Sequence, residues 1–79
     1  MKASEAVKTR ILALLRQNNL SINKVCTNGN MTTSTLNSLL NNDKQFPSIK
    51  TIQKVCQGLG ISLYDFFCDD IFKNIEYEE

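Results

Sequence analysis

The sequence predicts an all-α domain of five short helices, and three observations carry that prediction. Apolar residues recur at helical spacing in five successive segments. A Ser or Thr, the residue types whose side-chain oxygens cap helix N-termini, stands at the start of each segment. No stretch alternates apolar and polar residues with the period of a strand. With 79 residues the chain is expected to form one domain. A chain of that size has little interior, so efficient helix packing or subunit association must supply much of its stability.

Ser4 is expected to cap the first helix, whose apolar face is Val7, Ile11, Leu14 and Leu15. Lys8, Arg10 and Arg16 fall mostly elsewhere on its surface. Asn18-Asn19 ends it, because Asn tolerates the left-handed backbone of a C-terminal cap. Ser21 caps a second helix running to about Thr27, with Val25 and Cys26 inward. Asn28-Gly29-Asn30 is a turn signal. After the lone apolar Met31, Thr32 caps a third helix that buries Leu36, Leu39 and Leu40. Its other sides carry Thr33, Ser34, Asn37, Ser38 and Asn41, which are polar, short and uncharged. Asn42 to Pro47 form a loop. Ser48 caps a fourth helix with Ile49, Ile52, Val55, Cys56 and Leu59 on its apolar face, stopped by Gly58 and Gly60. Ser62-Leu63-Tyr64-Asp65 has the capping-box form and opens a fifth helix that sends Leu63, Phe66 and Phe67 into the core. Ile71, Phe72 and Ile75 then extend the chain by one or two amphipathic turns.

Apolar residues make up 42% of the chain, enough for a core, yet no apolar run approaches the roughly 18 residues that cross a bilayer. Met1-Lys2-Ala3-Ser4-Glu5 lacks the apolar core of a signal peptide, so cytoplasmic residence is expected. The three cysteines, Cys26, Cys56 and Cys68, fit no zinc spacing, and the chain has no histidine. No metal and no cofactor are therefore expected. Cys26 and Cys56 read as small buried residues in a reducing compartment, and Cys68 as partly exposed. Neither a paired-carboxylate motif nor a phosphate-cradling glycine loop is present, which argues against an enzyme; no small-molecule ligand is evident. Charge divides the chain. Residues 1–68 hold eight basic against three acidic side chains, a net +5, and residues 69–79 a net −4. The body suits a polyanionic partner. The tail reads as a short acidic extension that projects away from any such partner and contributes to packing or dimerisation.

The segment Ile22–Asn41 satisfies a demanding set of offsets. Two short helices joined by a tight turn need a small residue at their crossing, which Cys26 supplies. They need a residue tolerating positive φ in the turn, which Asn30 supplies. They also need shared apolar positions, here Val25, Met31, Leu36 and Leu39. Around this segment the chain resembles the Cro/phage-repressor, or Xre, family of helix-turn-helix regulators. The resemblance runs from about Arg10 to Phe67. It is carried by Leu20-Ser21-Ile22-Asn23-Lys24-Val25-Cys26, by Met31-Thr32-Thr33-Ser34-Thr35-Leu36-Asn37-Ser38-Leu39-Leu40-Asn41, by Pro47-Ser48-Ile49-Lys50-Thr51-Ile52, and by Gly58-Leu59-Gly60-Ile61-Ser62-Leu63-Tyr64-Asp65-Phe66-Phe67.

The resemblance implies a compact five-helix bundle like a phage-repressor DNA-binding domain over residues 1–68, binding double-stranded DNA as a transcriptional regulator. The helix after Thr32 becomes the recognition helix. Thr33, Ser34, Asn37 and Ser38 are then expected to read bases, and Arg10, Ser21, Lys24, Thr32, Asn41 and Lys44 to hold phosphates. A homodimer on a palindromic operator is expected, with Leu40, Phe46 and the Ile71-Phe72-Ile75 stripe as candidate contacts. The chain departs from the family pattern at Ile22, where a Gln commonly touches a phosphate and braces the recognition helix. It departs again at Leu40, where Glu is common, and it lacks Lys or Arg on the recognition helix. A second reading is a protein-interaction module that keeps this fold without binding DNA; salt-sensitive binding to random duplex separates the two.

Overall fold

The computed structural model describes residues 1–42 and 45–77. Helix α1 (Ala3–Gln17) buries Ala6, Val7, Ile11, Leu14 and Leu15, the expected face with Ala6 added. Its start differs from expectation. Lys2, not Ser4, holds the cap position, and its backbone N–H donates to Glu5 Oε1 at 3.4 Å. A carboxylate three residues on satisfies that end of the helix, so a capping hydroxyl is not what sets the boundary.

Three of the four connections between helices use one three-residue joint. Asn19 (φ 53), Asn30 (φ 56) and Gly60 (φ 75) adopt the left-handed conformation that ends a helix. An apolar residue follows each of them: Leu20, Met31 and Ile61. Their N–H groups reach back to the carbonyls of Leu15, Cys26 and Cys56, each at 3.0 Å, and their side chains pack against the core. Ser21, Thr32 and Ser62 then cap the next helix, accepting from the backbone N–H of Lys24, Thr35 and Asp65 at 3.1, 3.2 and 3.0 Å. The joints thus lead into α2 (Ile22–Asn28), α3 (Thr33–Asn41) and α5 (Leu63–Phe67). Helix α4 (Ile49–Leu59) follows the longer α3–α4 connection and is capped by Ser48, which accepts from the Thr51 N–H at 3.1 Å.

The helices close around Phe66, Ile11, Leu36, Leu39, Val25, Val55 and Cys26, all nearly inaccessible to solvent. The closest approach is between α2 and α4. A Cβ placed on Gly58 would overlap the Val25 carbonyl oxygen and stand 2.9 Å from Val25 Cγ1, and one on Gly29 would overlap the Lys54 carbonyl oxygen. Gly58 is therefore a buried crossing point within α4 and does not stop it; Gly60 alone does that. Cys26, expected at the crossing of α2 and α3, is buried there with the Thr33 side chain at its thiol, and the glycines serve the separate approach of α2 to α4. Two further expectations are corrected. Ile49, assigned to the apolar face of α4, is 62% exposed, and Phe67 stays on the rim at 38% exposed, its ring edge-on to Phe66 at 5.0 Å.

Beyond α5 the chain stays with the body. Asp69 accepts from the Ile71 N–H at 2.9 Å and opens a 3-10 turn, Asp70–Phe72. Phe72 lies 6.2 Å from the Phe66 ring and 5.1 Å from the Phe67 ring. Glu76 then donates its backbone N–H to the Met1 carbonyl at 3.1 Å, and its carboxylate lies 3.6 Å from the N-terminal ammonium. Among the described residues this Lys2–Glu76 pairing is an isolated parallel bridge, and no strand forms. The body and the first part of the acidic extension share one core. Glu78 and Glu79 lie outside the described residues.

Candidate nucleic-acid interface

Helix α3 turns Leu36 and Leu39 fully inward and packs Leu40 against the same core. At about 100° per residue, Thr33, Ser34, Asn37, Ser38 and Asn41 then fall within an arc of about 140° on the opposite side. Ser34, Ser38 and Asn41 are exposed, and Thr33 and Asn37 half-buried. The expected base readers therefore share one face. The side chains of Ser34, Asn37 and Ser38 make no hydrogen bond to a described residue. Their hydroxyl and amide groups are available to donate and to accept, as base edges require.

Thr33 differs from its neighbours. Its hydroxyl donates to Asn23 Oδ1 on α2 at 3.2 Å, tying the first turn of α3 to the helix before it. The position of Ile22 supplies no such polar brace; Asn23 does, and sequence reasoning missed it. Burial pushes the Cys26 thiol up, while a hydrogen bond with the Thr33 side chain pulls the other way. Burial pushes the Cys56 thiol up as well. Both thiols are held protonated in the interior, and Cys68 is exposed.

The expected phosphate residues divide. Ser21 and Thr32 are exposed at the N-termini of α2 and α3, with their oxygens engaged as caps, and the Thr32 and Thr35 hydroxyls lie 2.7 Å apart. Lys24 is exposed on the first turn of α2, and Asn41 is exposed at the end of α3. Lys44 lies outside the described residues.

Arg10, expected at a phosphate, is engaged inside the molecule. Its Nε donates to the Phe66 carbonyl at 2.8 Å, one terminal nitrogen to the Asp65 carbonyl at 3.0 Å, and the other to Asp69 Oδ2 at 3.2 Å. Only 11% of the side chain is exposed. The planar fork satisfies the Phe66 carbonyl and adds a donor to the Asp65 carbonyl, which also accepts the Cys68 N–H, at the end of α5 where a cation meets the negative end of the helix. Arg10→Met should cost about 2 kcal/mol of stability by removing the donors to the Phe66 and Asp65 carbonyls and the charge partner of Asp69. Thermal melting beside a DNA titration checks this: the melting temperature should fall, and affinity measured well below it should not. A second cation of α1 was also missed. Lys8 donates to the Asn42 carbonyl at 2.8 Å, holding the C-terminal end of α3.

Of the candidate subunit contacts, Leu40 and Phe72 are largely taken up by the chain's own core. Phe46, 62% exposed, remains open, close in sequence to the exposed Ile49. Among the described residues no group of His, Cys, Asp and Glu is placed to hold a metal, and no helix is long and apolar enough to cross a membrane.

The helix-turn-helix family model (HTH_3) matches residues 11–66, from the middle of α1 to the end of α5. No curated protein matches the chain. Among solved structures the chain is similar to one described as the crystal structure of the prophage Lp1 protein 11. The two share 38% sequence identity with a TM-score of 0.79, over 95% of this chain and 100% of that one.

Proposed function

Because the chain belongs to the Xre-type helix-turn-helix family of DNA-binding transcriptional regulators, we propose that it recognises a palindromic operator as a homodimer, each subunit laying α3 in the major groove. The observation that carries this reading is the outer face of α3, on which the side chains of Ser34, Asn37 and Ser38 make no hydrogen bond among the described residues. An ordinary solvated helix carries long charged side chains there. A face of short, uncharged hydrogen-bonding groups costs little to desolvate and fits closely against base edges.

Thr33, Ser34, Asn37 and Ser38 read bases in this proposal. Ser21, Lys24, Thr32, Asn41 and Lys44 hold phosphates, with backbone N–H groups at the starts of α2 and α3 contributing. One short helix reads only a few base pairs. Pairing two subunits on half-sites about one helical turn apart supplies the missing specificity, with Phe46 as the open apolar contact. Cytoplasmic residence belongs to the same reading, since the regulator must reach its DNA.

Sites selected from a random duplex pool provide the test. Affinity for the selected site should fall as salt rises, because counterions return to the DNA. Ser34→Ala and Ser38→Ala should each change the preference at particular base pairs by about 1–3 kcal/mol, whereas Lys24→Ala should weaken all sequences alike. Footprints at saturation should cover two half-sites. A single half-site refutes the dimer. Failure to bind any duplex at low salt refutes the regulator and leaves the protein-interaction module.

A further inference from the structure

We propose that Asn23 is a positioning residue that fixes which bases Thr33 can accept in the major groove. The inference rests on the DNA-binding reading above and adds a polarity to one of its contacts.

A threonine hydroxyl has one proton and two lone pairs, and free in solution it rotates to donate or accept as its partner requires. Thr33 has no such freedom. Its proton is directed at Asn23 Oδ1, 3.2 Å away on the neighbouring helix. The residue is half-buried, and the bond to α2 favours the rotamer that points Oγ1 at Asn23. Oγ1 is left with lone pairs only, and it shares them with the Cys26 thiol.

The base edges of the major groove sort cleanly against a group of that kind. Adenine and cytosine present amino donors, whereas guanine presents only the acceptors N7 and O6. A hydroxyl that has spent its proton can accept from adenine or cytosine on the strand it faces. Opposite guanine it sets lone pair against lone pair. To bind guanine it must first give up the Asn23 bond and hand that exposed amide oxygen back to water. Ser34 and Ser38, whose side chains have no partner among the described residues, keep both polarities. Two kinds of hydroxyl therefore stand on one helix face: Ser34 and Ser38 adaptable, Thr33 committed.

The test is base preference measured by site selection and competition with single-base variants of the selected duplex. Thr33→Val first identifies the base pair that Thr33 faces, as the one whose preference changes. There the unmodified chain should reject guanine by at least about fivefold, the lower end of one good base contact. Asn23→Ala frees the hydroxyl proton, and the rejection should shrink to less than about twofold with the preferences facing Ser34 and Ser38 unchanged. Asn23→Asp keeps an acceptor oxygen for Thr33 but adds negative charge beside the DNA. It should weaken every sequence while restoring the rejection of guanine. A merely structural role predicts something else: uniform loss of affinity in Asn23→Ala with the order of preferred bases intact. That result, acceptance of guanine by the unmodified chain, a changed order in Asn23→Asp, or no changed preference in Thr33→Val overturns the inference while leaving DNA binding in place. Absence of any selected sequence overturns the DNA-binding reading itself, and the inference falls with it.

Discussion

Replacing Gly58 with alanine is expected to lower the melting temperature by about 10–20 °C, from a cost of about 2–3 kcal/mol in a domain of this size. The sign makes the test informative. In a helix interior, alanine is normally favoured over glycine by about 1 kcal/mol, so local propensity predicts stabilisation. The loss comes from the crossing of α2 and α4, where the added methyl overlaps the Val25 carbonyl oxygen. That oxygen already accepts the Gly29 N–H at 2.8 Å, so it belongs to backbone on which the end of α2 depends and cannot swing aside. Gly29→Ala attacks the same crossing from the other helix. Once the helices have moved apart for one methyl, the second should cost less, so the double variant should be less destabilised than the sum of the singles. Melting followed by circular dichroism checks all three, with exposed Gln57→Ala as the control expected to change little. A Gly58→Ala variant that melts higher than the parent would mean that α2 and α4 do not approach in this way.

Ending the chain at Cys68 should have an equally large effect, although it removes a segment that looks like an acidic appendage. The truncation takes Asp69 from Arg10, Phe72 from the rings of Phe66 and Phe67, and Glu76 from Met1. Burial of one large apolar side chain contributes about 1.5–3 kcal/mol. With the Arg10–Asp69 ion pair removed as well, the total approaches about 4 kcal/mol, against a stability of roughly 5–15 kcal/mol for a typical domain. The expected result is a melting temperature lower by at least about 15 °C, or no cooperative transition. Ending the chain at Glu76 keeps every one of those interactions and removes Tyr77, which is 97% exposed, so it should melt like the parent. If the Cys68 truncation also melts like the parent, the domain ends where the charge changes sign. The structure instead carries the folded unit through to Glu76.

Much of the fold was legible because the decisive signals are local. An Asn or Gly, then one apolar residue, then Ser or Thr, specifies a helix end, a buried anchor and a new helix start within three residues. Asn30-Met31-Thr32 and Gly60-Ile61-Ser62 could be read from side-chain type alone. The outer face of α3 was legible for a similar reason, since three leucines fix its phase. Interactions between residues far apart in sequence were not. Gly58 looks like a helix stop until the path of α2 past it is known. Arg10 looks like a free cation until the end of α5 is placed beside it, fifty-five or more residues later. Asn23 and Thr33 lie on different helices, and only the angle set by the turn at Asn30 brings them together. Ile49 and Phe67 follow the right periodicity at the edges of their helices, where the core has run out of neighbours to cover them.

From Thr32 to Asn42 the chain carries no charged residue. In the proposed reading, attraction to DNA in general and choice among DNA sequences thereby fall to different parts of the molecule. Exchanging one short polar group for another on α3 changes the preferred operator, yet it leaves the counterions released, and hence the time spent scanning unrelated DNA, as they were. A lineage of such regulators can diversify its targets by single substitutions on one helix without drifting toward proteins that cling everywhere or nowhere.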